Sequence, residues 1–247
     1  MESFFEWFRW LYDTTGINLP FLYDSYDRQR MLSGFLMTVW LSVVCLLLSI
    51  VIGILGAWLQ GSSHKWTRRL VNGYIQFFRN TPPLVQLYFF YFAVSSFLPT
   101  VTTEYGTQAP LVSNVAWAII SLSFFAGAFN VEIFRSGIEA VPESTVEASS
   151  ALGFTRLQTY LYVTFPLALR VALPALNNNL VNLVKTTTLA YAIAVPEMLY
   201  VSNQIWSDNV NVPEMMVFLL IAYVALVGLL VWAMNGWERR LRIPGYG

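Results

Sequence analysis

The stretch from Met31 to Leu59 contains no Asp, Glu, Lys or Arg. An α-helix needs about 20 consecutive apolar residues to cross a bilayer. Lipid offers no hydrogen bonds, so a crossing segment must satisfy its own backbone, and a helix does this within itself. A charge-free run of this length therefore predicts a spanning helix and commits the chain to a membrane. Composition agrees, with 56% of the 247 residues hydrophobic and 11% charged, where soluble domains carry about 25% charged residues. That leaves too little polar surface to cover a water-soluble globule. The chain holds 9 tryptophans, 13 tyrosines and 18 phenylalanines, rings favoured at bilayer interfaces. Zero net charge gives no bulk argument for nucleic acid as a partner.

Four further spans are expected. Leu84 to Leu98 is apolar but short, so the second span is expected to begin before Pro82-Pro83 and bend there. The third is expected at Leu111–Phe134, the fourth at Ala168–Val195 and the fifth at Glu214–Asn235. The fold class is thus an all-α integral membrane protein with five transmembrane helices. Lys65, Arg68, Arg69 and Arg79 fall in the first loop, and Arg135, Arg156 and Arg170 in or beside the third. Arg239, Arg240 and Arg242 close the chain, while residues 99–110 and 196–213 hold no Lys or Arg. The positive-inside rule then puts the N-terminus outside and the C-terminus in the cytoplasm. Arg28 and Arg30 oppose this assignment, beside Asp24 and Asp27.

Residues 1–30 form an N-terminal segment of Phe4, Phe5, Trp7, Phe8, Trp10 and Leu11 mixed with Glu2, Glu6, Arg9 and Asp13. Too charged to span, it suits either a helix at the membrane surface or a loosely ordered tail. It lacks a basic n-region before an apolar core, so no cleavable signal peptide is expected. Residues 31–247 form the transmembrane domain. Ser49, Gly53 and Ala57 make a small-residue stripe suited to close helix approach, within the chain or across a dimer. The single Cys45 lies in an apolar run and the single His64 in a basic loop, so neither predicts a metal site or a nucleophile–base pair.

The loop at about 139–166 is the most informative polar segment. Ser144 and Glu147 have capping-box spacing, predicting a short helix from there to Leu152. Gly153 is placed to end it, because glycine readily takes the left-handed conformation after a helix. Thr155 and Gln158 repeat the spacing and start a second helix, with Pro166 stopping or bending it. Ala148, Ser149 and Ala151 are expected on the outer surface, where a partner protein can sit close. Packing of this loop on the membrane is the equal alternative.

The run Glu147-Ala148-Ser149-Ser150-Ala151-Leu152-Gly153, nine residues and then Val163-Thr164-Phe165-Pro166 resembles the EAA loop of ABC importer permeases. Ser149, Val163 and Phe165 are mild departures from that pattern. Arg79-Asn80-Thr81-Pro82-Pro83-Leu84-Val85-Gln86-Leu87, Val131-Glu132-Ile133-Phe134-Arg135-Ser136-Gly137-Ile138 and Asn182-Leu183-Val184-Lys185-Thr186-Thr187-Thr188-Leu189 are similar to motifs of the polar amino acid branch. Thr186 stands where that branch has an acidic residue. The resemblance runs collinearly over roughly residues 31–243.

It implies a type I ABC importer permease fold in a bacterial inner membrane. The loop helices would be coupling helices, with Ser144, Glu147, Ala148, Ser149, Ala151, Leu152, Gly153 and Pro166 as coupling residues. Implied partners are two copies of a cytoplasmic ATP-binding subunit, a second permease subunit of the same or a related chain, and a periplasmic or surface solute-binding protein. The cargo would be an amino acid. The chain has no G-x-x-x-x-G-K-[ST] phosphate loop. It is therefore expected to be no enzyme and to carry no cofactor, with ATP and Mg on the partner subunit.

Asn178, Asn182 and Lys185, at i, i+4 and i+7, share one helix face. A membrane-embedded lysine is costly and usually faces a cavity or a partner. They are candidates for a solute pathway with Asn130, Glu132 (the expected counter-ion of Lys185), Gln86 and Phe90. A structural network between spans or at a dimer interface is the competing reading. An ion-coupled secondary transporter or a non-transporting assembly protein is the alternative function, though no internal repeat of the kind such transporters show is evident.

Overall fold

The computed structural model describes residues 2–102 and 106–241, most of them helical. Arg242 lies outside these. Helix α1 (Glu2–Thr15) ends at Gly16, which takes φ +76. The N-terminal segment is thus helical, with Trp7 and Trp10 exposed. A short α2 (Pro20–Tyr23) follows. Helix α3 (Ser25–Gln60) starts earlier than the apolar run, because the Asp24 carboxylate accepts from the N–H groups of Tyr26 and Asp27 at 2.9 and 3.0 Å. That is an N-cap, and it draws Asp27, Arg28 and Arg30 into the first turns.

Helices α6 (Asn114–Glu139) and α11 (Val212–Leu241) match expectation in place. The fourth span differs. Helix α8 (Arg156–Thr159), a π-helical turn at 160–164, α9 (Phe165–Thr186) and a 3₁₀ stretch at 187–193 join into one helical path, Arg156–Ile193. Pro166 neither stops nor isolates the loop helix; it follows the wider π turn, the usual way a helix absorbs a missing N–H.

The second span also differs. It is broken rather than bent. Helix α4 (Lys65–Asn80) ends, Thr81 is extended at φ −117 and ψ 143, and α5 (Pro83–Tyr88) begins anew. A residue before proline is pushed out of the α region, and two successive prolines apply this to both Thr81 and Pro82, while Pro83 fits the first helical position. A π-helical stretch at 89–94 and a 3₁₀ turn at 95–97 extend α5 to Phe97. Among the described residues four helices are long and apolar enough to cross a membrane, and Pro83–Phe97 is a shorter apolar helix. Residues expected as loops are also ordered. Strands β1 (Thr100–Thr102) and β2 (Gln108–Pro110) pair antiparallel, Val101 opposite Ala109, and α10 (Met198–Asn209) fills most of 196–213.

The chain divides into two compact units: Met1–Val44, Leu84–Ser121 and Val184–Gly228, and Cys45–Pro83, Leu122–Leu183 and Leu229–Gly247. The first has a core of Phe21, Met31, Met198, Val201, Ile205, Met215 and Leu219. Gly34 lets α10 lie close, since a Cβ there would meet Val201 at 2.9 Å. The Met198 N–H donates to Thr38 Oγ1 at 2.9 Å.

The second unit packs Ala57, Val71, Ile75, Val131, Phe134, Ala172, Leu176, Leu180 and Met234 together. Here the small-residue stripe resolves as an internal contact. A side chain at Gly53 would overlap Asn130, and one at Gly56 would overlap Val131. Ser49 Oγ accepts from Asn130 Nδ2 at 3.2 Å. The stripe is where α6 lies against α3.

Candidate functional site

Helix α7 (Glu143–Ala151) carries the expected coupling residues. Its start corrects one expectation. Pro142 is the N-cap, with no side-chain cap bond, and Ser144 lies within the first turn rather than capping it. Glu143 sits in that turn, where a carboxylate complements the positive end of the helix dipole. The far end agrees with expectation: Leu152 closes the helix and Gly153 takes φ +85. The Thr155–Gln158 capping box is complete, with Thr155 N–H to Gln158 Oε1 at 2.9 Å and Gln158 N–H to Thr155 Oγ1 at 3.3 Å.

Ser149 does not face outward. It is buried, and its hydroxyl shares a hydrogen bond with the Thr159 hydroxyl at 2.9 Å and donates to Val146 O at 2.7 Å. This bond ties α7 to α8, and α8 runs on into α9. The opposite side of α7 is open. Ser144, Glu147, Ala148 and Ala151 are exposed, Leu152 is 80% exposed, and Leu157 beyond the glycine is 67% exposed. Pro166 is half-buried. An apolar knob on a polar, braced helix is the form a docking element takes. Neither the Ser149–Thr159 bond nor the Leu152 exposure was legible from spacing, because the former links side chains ten residues apart.

The asparagines of α9 split by face. Asn177 and Asn179 are buried. The Asn179 amide donates to Asn130 Oδ1 at 2.7 Å and to Ala126 O at 3.0 Å, and Asn177 donates to Glu238 at 3.0 Å. Asn130 is fully buried and in turn donates to Ser49. It sits inside the packing between helices. Asn178, Asn182 and Lys185 are all exposed.

Glu132 has a different partner from the one expected. It forms an ion pair with Arg79, whose guanidinium also lies 5.3 Å from the centre of the Phe129 ring. Gln86 is buried, and Phe90 stacks on Trp117 with centroids 6.1 Å apart.

Glu197 was not singled out in the sequence. Fully buried between the fourth span and α10, it caps α10 by accepting from the N–H groups of Leu199 and Tyr200 at 2.9 and 2.8 Å, and it accepts from the Tyr223 hydroxyl at 3.0 Å. Burial pushes its carboxyl up to about 7, against those three donors, which hold it down. A Glu directly after a proline at a helix start was the available signal.

The family model for the binding-protein-dependent transport system inner membrane component matches residues 49–243. The chain belongs to this family. The histidine/lysine/arginine/ornithine transport system permease protein HisQ of Escherichia coli strain K12 is 32% identical to this permease over 68% of the chain and 73% of its own length. The nopaline transport system permease protein NocM of Agrobacterium fabrum is 30% identical over 93% and 96%. The probable glutamine ABC transporter permease protein GlnM of Bacillus subtilis is 29% identical over 91% and 98%.

A crystal structure of an amino acid ABC transporter with histidines superposes at a TM-score of 0.76, with 26% identity over 90% of this chain and 99% of that one. Two inward-facing MetNI methionine ABC transporter structures share the fold, at TM-scores of 0.69 and 0.68 and 20% identity over 89% of this chain and 100% of each of those. The permease is thus an inner-membrane transport component with the type I ABC importer permease fold. No group of three or more His, Cys, Asp or Glu side chains suited to a metal occurs among the described residues.

Proposed function

We propose that this permease forms the translocation pathway of an ATP-driven amino acid importer and takes its drive from a separate ATP-binding subunit docked on α7. One observation carries the reading: α7 ends in an exposed Leu152 beside Gly153 and is braced through Ser149 and Thr159 to a helix continuous with the fourth span. Glu147, Ala148, Ala151 and Leu152 form the contact face. Ser144 adds a polar edge, and Gly153 sets the turn. Force applied there reaches the span without passing through a flexible linker. A two-state membrane element biased by a partner needs such a connection. ATP and Mg bind on that partner, present in two copies, and this chain contributes no cofactor site.

A second permease subunit completes the pathway. Asn178 and Lys185 face it or the cargo, with Asn182 on the same exposed side, since a lysine and an amide exposed on a spanning helix need polar company in the assembled complex. Amides plus one charge suit a zwitterion. A solute-binding protein delivers the amino acid, as the family description implies. The loop carrying α7 is cytoplasmic, with the C-terminus on the same side and the N-terminus outside, by the distribution of Lys and Arg.

The test is to purify the permease with its neighbouring ATP-binding and solute-binding proteins and follow ATP hydrolysis in proteoliposomes. Stimulation by the loaded binding protein is expected. Hydrolysis indifferent to both the permease and the loaded binding protein would overturn the reading.

A further inference from the structure

At the end of the second unit beside the α7–α8 loop, a cleft of about 920 Å³ opens between the end of α3, the start of α4 and the end of α6. The coupling reading does not use it. Lys65, Arg68, Arg69 and Arg135 line it, against the single carboxylate of Glu139. Glu139 is paired with Arg135 at 3.4 Å. Among the described residues no carboxylate lies within ion-pair distance of Lys65, Arg68 or Arg69. The Arg69 guanidinium instead lies 5.2 Å from the centre of the exposed Trp66 ring. The start of α4 adds to this field, because its N-cap, His64, makes no side-chain cap bond and the first N–H groups of a helix attract anions.

Gln60 adds to the polar lining. It lines the cleft and is 9% exposed, and its amide donates to Asn72 Oδ1 at 2.8 Å. Its carbonyl oxygen has no hydrogen-bond partner. The occupant thus carries an anion, for the three cations that have no carboxylate partner among the described residues.

The approach to the cleft identifies the kind of molecule. Leu47, Val51, Ile54, Leu55 and Trp58 of α3 are exposed at helical spacing, forming an apolar stripe whose last residue, Trp58, lines the cleft. A soluble anion has no use for such a stripe, whereas an acyl chain does. Tryptophans at the end of an apolar stripe also mark headgroup depth, and basic pockets between spanning helices suit anionic headgroups. We infer that this cleft binds the phosphate of an anionic phospholipid, with its acyl chains along the exposed face of α3.

The complex of permease and ATP-binding subunit, in phosphatidylcholine nanodiscs, serves for the test, with spin-labelled phosphatidylglycerol as the probe. Wild type should prefer it over labelled phosphatidylcholine. Arg68→Gln combined with Arg69→Gln should lower that preference by roughly 25-fold, at about fivefold for each cation lost. Arg239→Gln with Arg240→Gln, which removes as much charge outside the cleft, should lower it far less. Should the first pair fail to assemble, Lys65→Gln alone should lower it by about fivefold. Equal loss in the control pair, no preference in wild type, or displacement of the label by millimolar inorganic phosphate would overturn the inference. So would label that binds the permease stripped of its ATP-binding subunit but not the complex, since the cleft would then belong to the protein partner.

Discussion

Buried and exposed positions of α9 carry the same residue type to opposite ends. Asn177 and Asn179 point into the packing and find partners in Glu238, Asn130 and Ala126 O. Asn178, one position away, is exposed with Asn182 and Lys185. Polarity within a span is therefore no mark of a pathway. A buried amide in a membrane protein joins helices, and a polar group exposed on a span can meet cargo or a second subunit.

The comparison breaks first, and most visibly, on the buried face. Asn179→Leu removes two hydrogen bonds and strands Asn130 Oδ1, which should cost about 3 kcal/mol of stability. Thermal melting of the purified complex reads this, and an unchanged melting temperature would remove the distinction between faces. Next in size is Lys185→Met. Assembly and melting should match wild type while uptake falls by about tenfold or more, since bonds to a charged group are the stronger ones. Lost assembly with this variant would give the exposed face to structure instead. Asn182→Ala and Asn178→Ala should each lower uptake by about fivefold, again without a change in melting.

The smallest effect comes from pH at Glu197, a buried polar group between the fourth and fifth spans in sequence. Its folded value is raised from 4.5 to about 7. Its contribution to stability is then full below about 4.5 and lost as pH rises through about 7. Melting followed from pH 5 to pH 8 should decline slightly in wild type and stay level in Glu197→Gln. An equal decline in both would place the titrating group elsewhere.

The division within α9 was hidden in the sequence for a physical reason. In water, an apolar stripe tells which side of a helix faces the core. In a bilayer both the core side and the lipid side are apolar, so periodicity is silent and Asn177 looks like Asn178. Charge-free length, by contrast, speaks plainly in this solvent. Met31–Leu59 lies entirely within α3, and Thr81-Pro82-Pro83 marked an interruption, though as a bend where the chain makes a break.

In the loop, local chemistry was legible where the answer was local. Gly153 and the Thr155–Gln158 box stand where their spacing put them. Ser144 failed as a cap because the helix had already started at Glu143, behind Pro142. The inward turn of Ser149 depends on Thr159, and the pairing of Glu132 with Arg79 depends on how α4 and α6 pack. Both are tertiary facts, which no spacing encodes.

The transporter account rests on α7 being the place where a nucleotide-hydrolysing partner takes hold. Cysteine placed at Ala148 or Ala151, both exposed on the open face, tests this in the assembled, transporting complex. The account predicts cross-linking of these positions to the ATP-binding subunit, with an efficiency that changes when ATP is added. Full transport with no cross-link from either position would contradict it.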